Sequence, residues 1–124
     1  MGRAVQDGRP AGVTRVPLCA ADAVAEGAGR GFRLGQGTEQ VAVFVIRWQG
    51  AIRAYVNSCP HVGTPLDWLP DRFFDREGAL LLCGTHGALF RPEDGVCVRG
   101  PCAGRRLAPA AIAVEEGTIL LELA

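Results

Sequence analysis

The sequence predicts a small all-β domain, mostly antiparallel, and three observations point to it. Gly and Pro together make 25 of the 124 residues, which sets turns at short intervals and leaves little room for helix. The strongest local signal, Val41-Ala42-Val43-Phe44-Val45-Ile46, is a strand run rich in β-branched residues and apolar on both faces. The only helix-friendly stretch, residues 20–26, is too short to stand alone and is followed by Gly27, Gly29 and Gly31.

Taken in order, residues 1–12 read as a mobile tail and 13–124 as a single domain. A first strand is expected at 13–18 and a short one at 32–34. The 41–46 strand turns at Gln49-Gly50 and returns over 51–56 as a hairpin. Residues 62–78 carry Pro65, Pro70 and many charges, and read as a polar excursion with one helical turn. A buried strand at 79–82 leads to Cys83. Leu89-Phe90 resumes a strand, Pro92-Glu93-Asp94-Gly95 turns it, and 96–98 returns. Gly100-Pro101 opens a third loop, and 110–115 with 118–123 closes the chain as a hairpin around Glu116-Gly117.

Composition narrows the functional classes. Apolar residues make 48%, enough for one core in a chain of this length. The 13 basic and 13 acidic residues balance, and no basic stripe argues for nucleic acid. No apolar run approaches the roughly 18 to 20 residues that span a bilayer, and residues 1–15 do not read as a secretory leader. The expected compartment is therefore the cytoplasm, where five cysteines do not make a disulfide framework.

The chemistry lies in two segments, Cys59-Pro60-His61 and Cys83-Gly84-Thr85-His86. Each pairs a thiol with an imidazole, they are 21 residues apart, and they hold the only two histidines of the chain. A two-iron cluster held by two thiolates and two imidazoles needs such a pair of loops, expected here at about 57–66 and 83–90. With four thiolates the oxidised cluster is a dianion; two neutral imidazoles make it neutral. An electron enters a neutral site in a low-dielectric surround more easily, so such centres lie at about −150 to +300 mV against about −400 mV for plant-type ferredoxins. Gly63, Gly84 and Gly87 permit positive φ and close backbone approach, with freed amides able to donate to the cluster. Pro60 and Pro65 stiffen the first loop, and Pro101 is placed to cover the open side. Structural zinc takes the same ligand types, although C-x-H spacing suits it poorly. Cys19 reads as a core residue, and Cys97 and Cys102 as core or loop packing.

The pair C-P-H-x-G and C-x-x-H-G, followed by a G-P loop and a closing hairpin, resembles the Rieske [2Fe–2S] domain of the small soluble ferredoxin group. The resemblance implies one [2Fe–2S] cluster, with Cys59 and Cys83 on the buried iron and His61 and His86 on the outer iron through Nδ1. It also implies an antiparallel β-sandwich of three stacked sheets with a two-loop cluster-binding subdomain. Rieske proteins of respiratory complexes join their loops by a disulfide, at positions that match Thr64 and Thr85 here. Their hydroxyl donors match Ala88 and Phe90, which cannot donate, so the potential is expected below roughly 0 mV. The stretch between the two motifs is longer than in similar ferredoxins; Trp68 within it reads equally as buried packing and as a shield for the cluster or a contact for a partner.

Two function classes follow. One is a one-electron carrier, passing electrons from a flavin reductase to a terminal oxygenase or similar enzyme. It is not catalytic alone: both histidines are already used, and no dinucleotide fingerprint is present. The alternative is a non-catalytic subunit similar to that of assimilatory nitrite reductases, with a redox sensor or a zinc-stabilised interaction module behind it. Charges over 67–77 offer docking by complementarity. No nucleic acid or membrane partner is expected.

Overall fold

The computed structural model describes residues 14–35, 40–60, 63–85 and 87–123. The expected tail at 1–12, together with His61 and His86, lies outside them. Nine strands are described: β1 (Thr14–Ala20), β2 (Gly29–Leu34), β3 (Val41–Trp48), β4 (Ala51–Val56), β5 (Leu81–Leu82), β6 (Leu89–Phe90), β7 (Cys97–Arg99), β8 (Ile112–Glu115) and β9 (Thr118–Leu123). They form three antiparallel sheets, ordered β1-β9-β8, β2-β3-β4 and β5-β6-β7. No described helix is long and apolar enough to cross a membrane.

The two-faced apolar run explains the layering. Phe44 and Ile46 of β3, with Tyr55 of β4, pack into a core shared with Leu81 of β5 and Phe90 of β6. Val45, between them in sequence, and Ala54, its partner in register, pack the other way with Ile119 of β9. Alternate side chains of a strand point to opposite faces, so β2-β3-β4 is the middle layer and each neighbouring sheet covers one side.

Two tight turns set the registers. Gln49 and Gly50 have φ of 51° and 82°, and Glu116 and Gly117 have 51° and 79°. Paired positive φ values match the two-residue hairpin turns whose twist suits the strands. The Glu26 carboxylate accepts the Gln49 and Gly50 amides at 2.6 and 2.9 Å and fixes the first of them.

Several strand ends differ from expectation. β1 runs to Ala20 because a bulge between Pro17 and Cys19 absorbs the missing proline donor and lets pairing continue. The helix-friendly stretch gives only a 3₁₀ turn, Ala21–Ala23, held by the Arg47 guanidinium on the Ala21 and Val24 carbonyls. Pairing with the full length of β3 extends β2 back to Gly29.

The largest difference is in the polar excursion. No helical turn is described there; instead Leu69 bridges Arg72 and Phe74 bridges Leu81. Leu66, Phe73 and Phe74 are buried, and Phe73 stacks on Phe44 with ring centroids 4.3 Å apart. The carboxylates serve the backbone: Asp71 accepts the Gly31 amide at 2.8 Å, and Asp75 accepts those of Ala79 and Leu80. The segment is thus a flap packed on the middle sheet through Phe73, and not only a polar excursion.

Candidate metal centre

Strand β4 ends at Val56 and β5 at Leu82, so each delivers a cysteine within one to three residues. From there the two loops fold alike. The Cys59 amide donates to the Thr64 carbonyl at 2.8 Å, and the Cys83 amide to the Ala88 carbonyl at 2.9 Å. Four residues after each cysteine, the Gly63 and Gly87 amides donate back to the Cys59 and Cys83 carbonyls at 2.7 and 3.0 Å. Both glycines take positive φ, 81° and 75°, which a side-chain-bearing residue adopts only with strain.

Each cysteine therefore opens an identical hydrogen-bonded ring, and His61 and His86 fall within these rings by sequence. Both thiols point inward: Cys59 is 2% exposed, Cys83 fully buried, and both belong to one core. No buried charged residue lies among the described residues to compete with them. This suits a cluster whose sulfur-ligated iron is the inner one.

The loops also touch each other. Thr64 and Thr85 share a hydrogen bond between their hydroxyls at 2.9 Å. Those are the positions matched with the respiratory disulfide, so a polar bond stands where a covalent one would. The Asn57 carboxamide accepts the Leu66 amide at 2.8 Å and donates to Asp67, fastening the base of the first loop.

The expectation about freed amides needs correction. The Gly63, Gly84 and Gly87 amides all donate to protein carbonyls, that of Gly84 to Leu66 at 2.9 Å. Gly84 does not take positive φ either. It is needed because a methyl there would lie 2.7 Å from the Cβ of Trp68. Of the readings the sequence offers for Trp68, packing is the one the structure describes. Trp68 backs the second loop, its indole N–H held by the Phe74 carbonyl at 3.2 Å, beside a small apolar hollow lined by Cys83, Leu82 and Gly87. Its tryptophan-to-glycine complementarity is invisible in sequence spacing.

The third loop closes the remaining side. At Gly100 a methyl would lie 2.8 Å from the Ala88 Cα, so this glycine rests against the second loop. The Arg105 guanidinium donates to the Pro60 carbonyl at 3.2 Å and reaches the first. Pro101 itself is exposed. Ala88 and Phe90 are buried and have no hydroxyl to offer. Cys97 and Cys102 are buried at the neck of this loop with sulfurs 3.2 Å apart, not joined. Burial above all, then the bond to Cys97, pushes the Cys102 thiol up to about 12. Cys19 packs at the edge of the second core.

The sequence matches the family model for the Rieske [2Fe-2S] domain over residues 14–116. No curated protein matches it at a significant level. Among solved structures the fold is similar to the ferredoxin of carbazole 1,9a-dioxygenase from Nocardioides aromaticivorans IC177 (22% identity, TM-score 0.63, covering 86% of this chain and 96% of that one). It is also similar to the terminal oxygenase of carbazole 1,9a-dioxygenase from Novosphingobium sp. KA1 (23% identity, TM-score 0.68), of which it spans only 29% while 86% of this chain is covered. A third similar chain, at 22% identity and TM-score 0.67, comes from a complex of reduced oxygenase and oxidized ferredoxin in carbazole 1,9a-dioxygenase; 86% of this chain and 91% of that one are covered. These likenesses speak to the fold.

Proposed function

The chain belongs to the Rieske [2Fe–2S] domain family, and from that premise we propose that it is a one-electron carrier serving a larger redox enzyme. One [2Fe–2S] cluster, when bound, takes up and releases a single electron; the zinc reading falls away with the family. We assign Cys59 and Cys83 to the inner iron and His61 and His86 to the outer one. Residues 13–124 are read as one domain, with 57–66 and 83–90 as the loops that grip the cluster.

The observation that carries this reading is the matched pair of loop rings. Two buried thiols occupy the same place in the same hydrogen-bonded ring, on loops bonded to each other through Thr64 and Thr85. The chain's own work is to hold ligands rigidly and keep water from the sulfur side. Little then rearranges when charge changes, which is what a carrier needs. The free ring nitrogens of His61 and His86 are assigned the proton-holding role. Reduction lowers the local positive charge and raises their proton affinity.

A terminal oxygenase is the acceptor we favour, because chains of this fold occur in ferredoxin–oxygenase complexes. The donor is assigned to the flavin reductase class. The chain spans 96% of the ferredoxin it is similar to and 29% of the oxygenase.

The test is direct. Anaerobically purified protein should contain iron and labile sulfide in equal amounts, about two of each. Its midpoint potential should fall as pH rises into the alkaline range, since the reduced form binds protons more tightly. Material with zinc and no labile sulfide, or a midpoint indifferent to alkaline pH, would remove the assignment. Permanent co-purification with a large reductase chain would point to the subunit instead.

A further inference from the structure

Each cluster loop has beside it an arginine that the fold leaves without a carboxylate. At the second loop, an open hollow of about 250 Å³ is walled by Trp68, Leu82, Cys83, Gly84 and Gly87. Arg76 is the one charged residue lining it among those described. Its side chain is exposed and makes no hydrogen bond or ion pair with any described residue. At the first loop, the exposed Arg105 donates to the Pro60 carbonyl at 3.2 Å and has no carboxylate partner there either. The ion pairs of the described residues lie elsewhere, Arg15 with Glu115 and Glu122 on the outer sheet and Arg91 with Asp94 in a turn.

Resting on the reading above, we propose that the redox protein partner docks on this face through carboxylates, one paired with Arg76 beside the hollow and another with Arg105 at the first loop.

The charge accounting carries this. The carboxylates of the neighbouring flap are engaged by other donors. Asp67 accepts from the Asn57 side chain, Asp71 from the Gly31 amide, and Asp75 from the Ala79 and Leu80 amides. Glu77 follows Arg76 in sequence and is exposed, but it does not line the hollow, nor does any other described carboxylate. The whole chain is balanced at 13 basic and 13 acidic residues, so it has no general attraction for an acidic surface. Any such attraction is local to the two guanidinium groups.

Their placement suits electron exchange. Cys83 forms part of the hollow's wall, and His86 falls between Gly84 and Gly87 in sequence, so a partner seated there stands against the loop assigned to both irons. One electron passes from the reduced cluster to the partner's oxidised centre, and no bond is made or broken. A guanidinium presents a planar fork that matches a carboxylate with two parallel hydrogen bonds. Opposite charges at the rim of an interface speed association and make it sensitive to salt, whereas like charges there repel. Screening within roughly 10 Å at 0.1 M salt confines the effect to partners already close to the loops.

The experiment mixes reduced holo protein, freed of excess reductant, with one of two oxidised protein probes. Plastocyanin has an acidic surface and cytochrome c a basic one. Oxidation of the cluster is followed by stopped flow at low and high salt, after iron, sulfide and midpoint potential have been measured for each variant. Wild type should reduce plastocyanin faster at low salt than at high salt. R76E should slow that reaction about three- to tenfold at low salt, and R76K should keep most of the rate. R105Q, which keeps an N–H for the Pro60 carbonyl, should slow it about twofold or more. R53E makes the same change in net charge on an exposed residue of β4 and should leave the rate within about twofold of wild type. With cytochrome c, R76E should react at least as fast as wild type. An unchanged R76E, an equal loss in R53E, a loss with both probes, or a wild-type rate on plastocyanin that does not fall with salt would overturn the proposal. An unchanged R105Q would strike Arg105 from the surface. If R105Q does not retain its cluster, R76Q decides: a rate on plastocyanin that no longer depends on salt strikes Arg105 as well. A wild type without iron and sulfide fails the function reading itself and takes this proposal with it.

Discussion

At Gly84 a single absent methyl decides where a cluster loop lies. The Trp68 Cβ and Cα would sit 2.7 and 2.9 Å from the added carbon, so G84A must push the tryptophan or the loop. Overpacking of this kind costs about 1–3 kcal/mol. A thermal melt should show a fall of several degrees, with cluster absorbance lost before the fold. Tyr55 shows a residue-level pH effect. Its hydroxyl donates to the buried Pro92 carbonyl at 2.8 Å, and burial raises its pKa against the opposing charge of Arg53. A raised folded value means stability that is present below the unfolded value of about 10 and lost as pH rises through the folded one. Y55F should therefore be about 1 kcal/mol less stable at neutral pH. The gap should narrow above about pH 10; denaturant titrations of both proteins at neutral and alkaline pH check it. A gap that widened would contradict the sign.

At the scale of elements, the two loop rings show what sequence could and could not disclose. Cys59, His61, Cys83 and His86 stand out in the sequence because thiol and imidazole at close spacing carry chemistry that few other arrangements share, and as ligands they are our proposal. The rings themselves do not stand out, because Gly63 and Gly87 close them through backbone bonds that leave no composition signal. The joining of Thr64 to Thr85 is likewise tertiary, since 21 residues separate them. This contact is exposed, so its net contribution is small, about 0.5 kcal/mol. A double-mutant cycle with T64V and T85V should return a coupling of that order, with the two single variants losing similar stability. Zero coupling in the cycle would mean that the hydroxyls merely lie close. The strands followed the same pattern. The hairpin turns at Gln49-Gly50 and Glu116-Gly117 could be read because positive φ selects residues, whereas the β1 bulge could not.

For the whole molecule, the middle sheet is the organising layer and the 66–78 flap its least anticipated partner. Phe73 is 1% exposed and stacks on Phe44 of β3, while its carbonyl accepts the Leu82 amide beside Cys83. One aromatic thus links core, flap and second cluster loop. F73A should cost about 3–5 kcal/mol, a large share of the total stability of so small a domain. Calorimetry and iron content should fall together, and retention of full cluster occupancy at normal stability would show the flap to be dispensable. The charges of the flap, read from sequence as a polar excursion, include Asp71 and Asp75, which bond the backbone of β2 and of their own turn.

Local features were determined by the sequence alone: the tight turns, the alternation that makes β3 two-faced, and the family. Each depends on neighbours a few residues apart, where side-chain identity restricts backbone and reactivity directly. Tertiary structure alone decided that Trp68 backs Gly84, that a threonine pair bonds the loops, and that Phe73 stacks on Phe44. Those contacts join residues far apart in the chain, and only the packed core fixes which distant atoms meet.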